Sequence, residues 1–119
     1  MLLSINPEHV ENILSGKKRY EFRKRKCKAD VDMILIYSTS PVMKVVGVVE
    51  VMSVIVDRPD KVWNKTSEFS GITKDFFDKY FEDKEQAVAY KLGEVKKYKK
   101  PVPLEFFGVN FAPQSFVYV

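Results

Sequence analysis

The stretch at residues 44–56 reads KVVGVVEVMSVIV. β-Branched side chains dominate it; they suit a pleated surface and lose rotamer freedom in a helix, so the run predicts one long strand. Gly47 and the central Glu50 interrupt the apolar residues and predict a bulge or bend within it. Long bent strands suit small barrels, and this one sets the frame for the rest of the chain.

The flanking segments fall into short elements punctuated by single Gly and Pro residues. Residues 2–5 read as a strand, followed by Asn6 as N-cap, Pro7 at the first helical position and Glu8 in the first turn. Val10, Ile13 and Leu14 recur at helical spacing, and Gly16 stands where a left-handed cap ends such a helix. Residues 18–25 alternate, with Tyr20 and Phe22 on one face and Arg19, Glu21, Arg23 and Arg25 on the other. Residues 32–38 form an apolar strand that stops at Thr39-Ser40-Pro41.

After the long strand, residues 59–63 and 72–81 read as helical segments separated by Ser70-Gly71. Thr73 can cap the second, whose Phe76, Phe77, Tyr80 and Phe81 make an aromatic stripe. Residues 87–95 resume as a strand, Pro101-Val102-Pro103 breaks it, and residues 115–119 close the chain as a final strand. The predicted order is β-α-β-β-β-α-α-β-β. It implies an α+β fold, a compact mixed barrel, partly closed, with flanking helices. Its 119 residues fit one domain over 1–119.

The formal charge of +4 is unevenly spread. Lys17, Lys18, Arg19, Arg23, Lys24, Arg25, Lys26 and Lys28 crowd into one short run, and Lys96, Lys97, Lys99 and Lys100 form a second cluster. An edge strand guarded against aggregation explains such a run in one way, and a phosphate-binding face in another. The density of charge favours the second. Tyr20, Phe22, Tyr37, Tyr90 and Trp63 are core candidates before they are base-stacking platforms.

Glu21 is the lone carboxylate within the basic run, with Arg19 and Arg23 on its own face of the strand. A plain surface ion pair and a Lys-Glu-Arg constellation in a cleft both fit that pattern. Lys18 and Glu21 lie three apart, so a shared cleft requires Lys18 to sit in the turn after Gly16, before regular strand begins. The single His9, in the first helical turn, reads as a surface or cap residue. Cys27 has no histidine partner in view and makes a poor nucleophile candidate.

One cysteine excludes an internal disulfide, and one histidine leaves too few soft ligands for a zinc site. No Gly-rich phosphate loop is present, so no nucleotide cofactor or metal is expected. No run approaches the roughly 20 apolar residues of a membrane helix. These features point to a cytoplasmic protein without membrane partners.

Residues 7–23, PEHVENILSGKKRYEFR, resemble the N-terminal signature of ASCH domains, a helix ending in Gly and then Gly-x-Lys-x-x-Glu-x-Arg. Gly16, Lys18, Glu21 and Arg23 match it. The resemblance continues through Tyr37-Ser38-Thr39-Ser40-Pro41, Gly71-Ile72-Thr73, Tyr80-Phe81 and Pro113-Gln114-Ser115-Phe116, like the stand-alone prokaryotic and viral proteins regarded as predicted transcriptional regulators. It implies a PUA-like barrel that binds RNA, another nucleic acid or a modified nucleoside in a cleft beside the barrel. Lys17, Lys18, Arg19, Arg23 and Arg25 would then meet phosphate, Glu21 would read an amino group, and Ser38, Ser40, Gln114 and Ser115 would supply neutral hydrogen bonds.

Some members of that family are enzymes, one an amidohydrolase acting on N4-acetylcytidine and another a ribonuclease. The resemblance maps the amidohydrolase lysine onto Lys18 and its threonine position onto Glu21. Glu82, just after the aromatic helix, stands for its later glutamate. If the chain is an enzyme, Lys18, Glu21 and Glu82 are the catalytic candidates.

Overall fold

The computed structural model describes residues 1–27, 30–114 and 116–119. Its elements follow the predicted order: β1 (Leu2–Ile5), α1 (Pro7–Leu14), β2 (Tyr20–Arg23), β3 (Met33–Ser38), β4 (Lys44–Asp57), α2 (Pro59–Thr66), α3 (Lys74–Tyr80), β5 (Ala87–Val102) and β6 (Phe116–Val117). The described strands form one sheet in the order β2-β5-β4-β3-β1-β6. It curls into a half-barrel with the helices packed beside it, a mixed α+β architecture. No described helix is long and apolar enough to cross a membrane.

The curl begins in β4. Its register against β5 shifts between Val45 and Gly47, between Val49 and Val51, and again between Val51 and Ser53. Each shift adds local twist, which bends a long strand round a core. The irregularities bracket Gly47 and Glu50, where the sequence predicts them.

α1 and β2 lie on the crossover from β1 to β3, which pair in parallel. β2 does not pair with its successor β3; it crosses to the far edge and runs antiparallel to β5, Tyr20 opposite Lys91 and Arg23 opposite Val88. It is also shorter than predicted, Tyr20–Arg23 instead of 18–25. The Lys18 amide donates to Asn12 O of α1 at 2.9 Å and the Arg19 amide to Phe69 O at 2.8 Å, so neither amide joins the ladder.

β5 runs through Pro101 to Val102, past the predicted break. β2 covers only residues 88–91 of it, so beyond that point β5 has β4 on one side alone. A strand with one open side tolerates proline.

Three apolar clusters hold the layers together. Val10 and Ile13 of α1 pack with Leu3, Ile34, Ile36, Val49 and Tyr90 of the sheet. Val62 of α2 and Phe77 and Phe81 of α3 pack with Phe22, Ala87 and Ala89. Leu2, Tyr37, Val45 and Leu104 form the third. Tyr37, Tyr90 and Phe22 are buried, while Tyr20 and Trp63 pack partly buried against the second cluster.

Candidate functional site

The basic run enters the structure through a turn. Gly16 adopts φ +83° after the last residues of α1, a conformation that side chains other than glycine rarely hold. The turn places Lys18 before β2 and sends its side chain inward, where only 2% of the residue remains exposed. Lys18 Nζ donates to Ser70 O at 2.8 Å and lies 4.7 Å from the centroid of the Phe22 ring.

Burial pushes the Lys18 ammonium down from 10.5 to about 8; nearby Glu21 opposes that shift and Arg23 adds to it. The Ser70-Gly71 turn holds the side chain in place. Ser70 Oγ lies within hydrogen-bond distance of the carbonyls of Ser67 and Ile72, at 3.1 and 3.0 Å. Gly71 has φ +71°, and a Cβ there would come within 2.5 Å of Lys18 Cβ. Gly71→Ala is therefore expected to lower stability by more than about 1 kcal/mol, read by urea denaturation, and to displace Lys18. Unchanged stability with an unmoved Lys18 amine resonance would refute the clamp.

Alternation along β2 puts Glu21 and Arg23 on one face. Arg23 Nη2 and Nε donate to Glu21 Oε2 at 2.7 and 3.1 Å, and Nη2 also reaches Ser4 O at 3.0 Å. The side chains are only 8% and 15% exposed, so this is a largely desolvated pair and not a surface one. Oε2 carries both arginine bonds, leaving Glu21 Oε1 for another donor.

α3 supplies the facing wall. Thr73 caps it by accepting from the Phe76 amide at 3.1 Å, and Phe77 and Phe81 turn into the core. Phe76, 48% exposed, stacks nearly parallel to Tyr80 with ring centroids 6.4 Å apart. Together with His9, these residues and Lys18, Glu21 and Arg23 line a cavity of about 310 Å³. A larger depression of about 1050 Å³ lies beside α2 and α3. Its charged residues are exposed apart from the half-buried Asp57, and several pair with one another, such as Lys74 with Asp78 at 2.7 Å, so it gathers no desolvated cluster.

The cavity unites Lys18, Glu21 and Arg23 of the sequence-derived candidates. Lys17 lines an adjoining depression with Ser70 and Gly71. Arg19 and Arg25 are exposed, the Arg19 guanidinium lying 4.8 Å from the Phe69 ring centroid. Ser38 is buried at the end of β3, opposite Ile5 in register, and Ser40 is exposed in the following turn; neither lines the cavity. Gln114 is exposed beside Pro113, whose carbonyl accepts from Ser4 Oγ at 2.7 Å. Ser115 and Lys28 lie outside the described residues.

Glu82 lies apart from Lys18, Glu21 and Arg23. It is exposed in the turn after α3 and does not reach the cavity, because the helix spends its inward positions on Phe77, Tyr80 and Phe81. Among the wall residues that the sequence does not assign to a site are His9, which reads as a surface or cap residue, and Phe76 and Tyr80, which read as members of the aromatic stripe. The helical spacing of Phe76 and Tyr80, residues 76 and 80, was the available signal for a shared face, though not for its exposure.

A half-barrel with this motif-built cavity at its edge defines the class of protein. The ASCH domain family model matches residues 3–100, and the chain belongs to that family. Over its whole length it is 33% identical to a segment making up 15% of ATP synthase subunit alpha from Ureaplasma parvum. It is also 32% identical to the ASCH domain-containing ribonuclease of Zymomonas mobilis, over 76% of this chain and 62% of that protein. The chain thus spans less than two thirds of either relative. The crystal structure of ASCH from Zymomonas mobilis superposes with a TM-score of 0.90 at 28% identity, covering 99% of this chain and 85% of that one. The shared fold is the PUA-like barrel.

Proposed function

We propose that the chain binds single-stranded RNA, seating one nucleotide in the cavity between β2, α1 and α3. The observation that carries this reading is the pairing of an exposed aromatic face, Phe76 on Tyr80, with the desolvated Lys18, Glu21 and Arg23 in one cavity. Stacking supplies sequence-tolerant affinity, and it requires a base already free of a duplex. A volume of about 310 Å³ suits a ligand of nucleotide size.

Within that reading, Glu21 Oε1 accepts from a base amino group and Lys18 has two further N–H donors beyond the one spent on Ser70. The flanking backbone runs over the exposed Lys17, Lys24, Arg25 and Lys26. Arg23 is committed to Glu21 and Ser4, so it shapes the site more than it grips phosphate. Binding of a labelled RNA strand should weaken steeply between about 50 and 200 mM salt, and joint replacement of Lys24 and Arg25 by alanine should flatten the log–log slope by about 1.4. Absent or salt-insensitive binding would sink the proposal.

A second reading, RNA cleavage, has its own support in the Lys18 amine, pushed down to about 8 and so near the working range of an acid–base group. The relative named a ribonuclease points the same way. Product formation from end-labelled RNA, lost in Lys18→Met, would favour it; binding without products would leave the binding module.

A further inference from the structure

We propose that His9 is a ligand-contacting, specificity-determining residue of the cavity, offering its Nε2–H to an acceptor atom of the seated nucleotide; this rests on the nucleotide reading above. His9 stands on the wall shared by the cavity and the adjoining depression of about 420 Å³, where Phe76 and Ile72 are common to both. Its ring meets Phe76 edge-on, centroids 5.4 Å apart at 70°, which fixes the plane of the imidazole.

The two ring nitrogens differ in surroundings. Nδ1 is shut away from solvent without a hydrogen-bond partner, and among the described residues no other buried side-chain nitrogen or oxygen is left so. An unpaired buried N–H is costlier than an unpaired lone pair, so the proton belongs on Nε2, the nitrogen not sealed off. The tautomer follows from packing alone.

The surroundings of the ring favour its neutral form on balance. Burial, first, and then Lys18 hold the imidazole below its ordinary 6.5; Glu21 and Glu8 oppose this, and Arg23 adds to it. A second proton would also create a buried N–H with no acceptor. His9 therefore stays neutral at pH 7 and adds an uncharged donor beside the basic Lys18 and Arg23.

A phenylalanine at this position would keep the contact with Phe76 and remove the orphaned nitrogen. The imidazole is thus a locally unfavourable choice for the fold alone, as groups serving a ligand often are. What it offers instead is a directional donor that meets a carbonyl oxygen or ring nitrogen and refuses an N–H.

The test measures binding of four labelled RNA homopolymers to the wild-type chain, His9→Phe and His9→Gln at pH 7, with melting curves and imidazole ¹⁵N spectra. His9→Phe should melt no lower than wild type, bind the preferred homopolymer roughly three- to tenfold more weakly and show a narrower preference among the four. His9→Gln, which keeps a donor, should retain more of both. Wild-type affinity and preference in His9→Phe, or a proton found on Nδ1, would overturn the inference and leave salt-dependent RNA binding standing. Failure of the wild-type chain to bind any homopolymer would overturn the nucleotide reading and the His9 inference with it.

Discussion

Replacing Arg23 by methionine is expected to destabilise the fold by about 3 kcal/mol, a large share of the roughly 5–15 kcal/mol that holds a domain together. Arg23 is the ion-pair partner of Glu21, whose side chain is only 8% exposed, so the substitution strips a largely desolvated carboxylate of its hydrogen-bonded counter-charge. It also strips the guanidinium from Ser4 O, 3.0 Å away on β1. Methionine supplies comparable stem volume, so the loss reads out charge rather than a cavity. A paired Glu21→Leu, Arg23→Met variant removes both charges and should recover most of the stability. Urea denaturation of the three proteins decides it; a single-variant loss under about 1 kcal/mol would mean that solvent screens the pair.

Lys18→Met should act in the opposite direction on stability. The amine is held from 10.5 down to about 8 in the fold, which corresponds to a penalty on the order of 3 kcal/mol for its charged form at neutral pH. Methionine removes that penalty but leaves Ser70 O without its 2.8 Å donor, worth about 1–3 kcal/mol in return. A net gain of roughly 1 kcal/mol, a rise of a few degrees in Tm, is expected.

The pH dependence carries the sign. Between about 8 and 10.5 the unfolded chain holds a proton on Lys18 that the folded chain has released, so wild-type stability rises with pH across that window. Below about 8 both states are protonated and the penalty is complete. The advantage of Lys18→Met should accordingly be greatest at pH 7 and shrink toward pH 10, as paired thermal melts would record. A variant less stable than wild type at pH 7 would show that the Ser70 bond outweighs burial of the charge.

Local chemistry made much of the fold legible. Asn6 accepts from the Glu8 amide at 3.1 Å as an N-cap, with Pro7 opening α1, and Gly16 takes the left-handed conformation expected of it. The three-residue spacing of Lys18 and Glu21 demanded that Lys18 precede the strand, and it does. What stayed hidden depended on partners distant in sequence. The extension of β5 through Pro101 depends on how far β2 reaches, which no local pattern states.

The same limit governed the site. Lys18, Glu21 and Arg23 were visible because they share one short motif. His9 looked like an ordinary surface histidine until Phe76, on another helix, was seen to lie against its ring. Glu82 looked like a partner because it follows the aromatic stripe closely, yet one further turn of chain carried it to solvent.

The point where β4 hands over to α2 has an evolutionary meaning. Asp57 pairs with Ala87, so the whole α2–α3 segment leaves and rejoins the sheet at a single rung. Glu21 and Arg23 are tied to the β2–β5 strand register, whereas Ile72, Phe76 and Tyr80, and the Ser70 carbonyl that holds the Lys18 amine, ride on the excursion. Substitutions, insertions or a different helix angle in that excursion can reshape one wall without disturbing a ladder bond. Divergent members of such a family could then inherit the Glu21–Arg23 pair intact and acquire new ligand preferences by exchanging the wall that faces it.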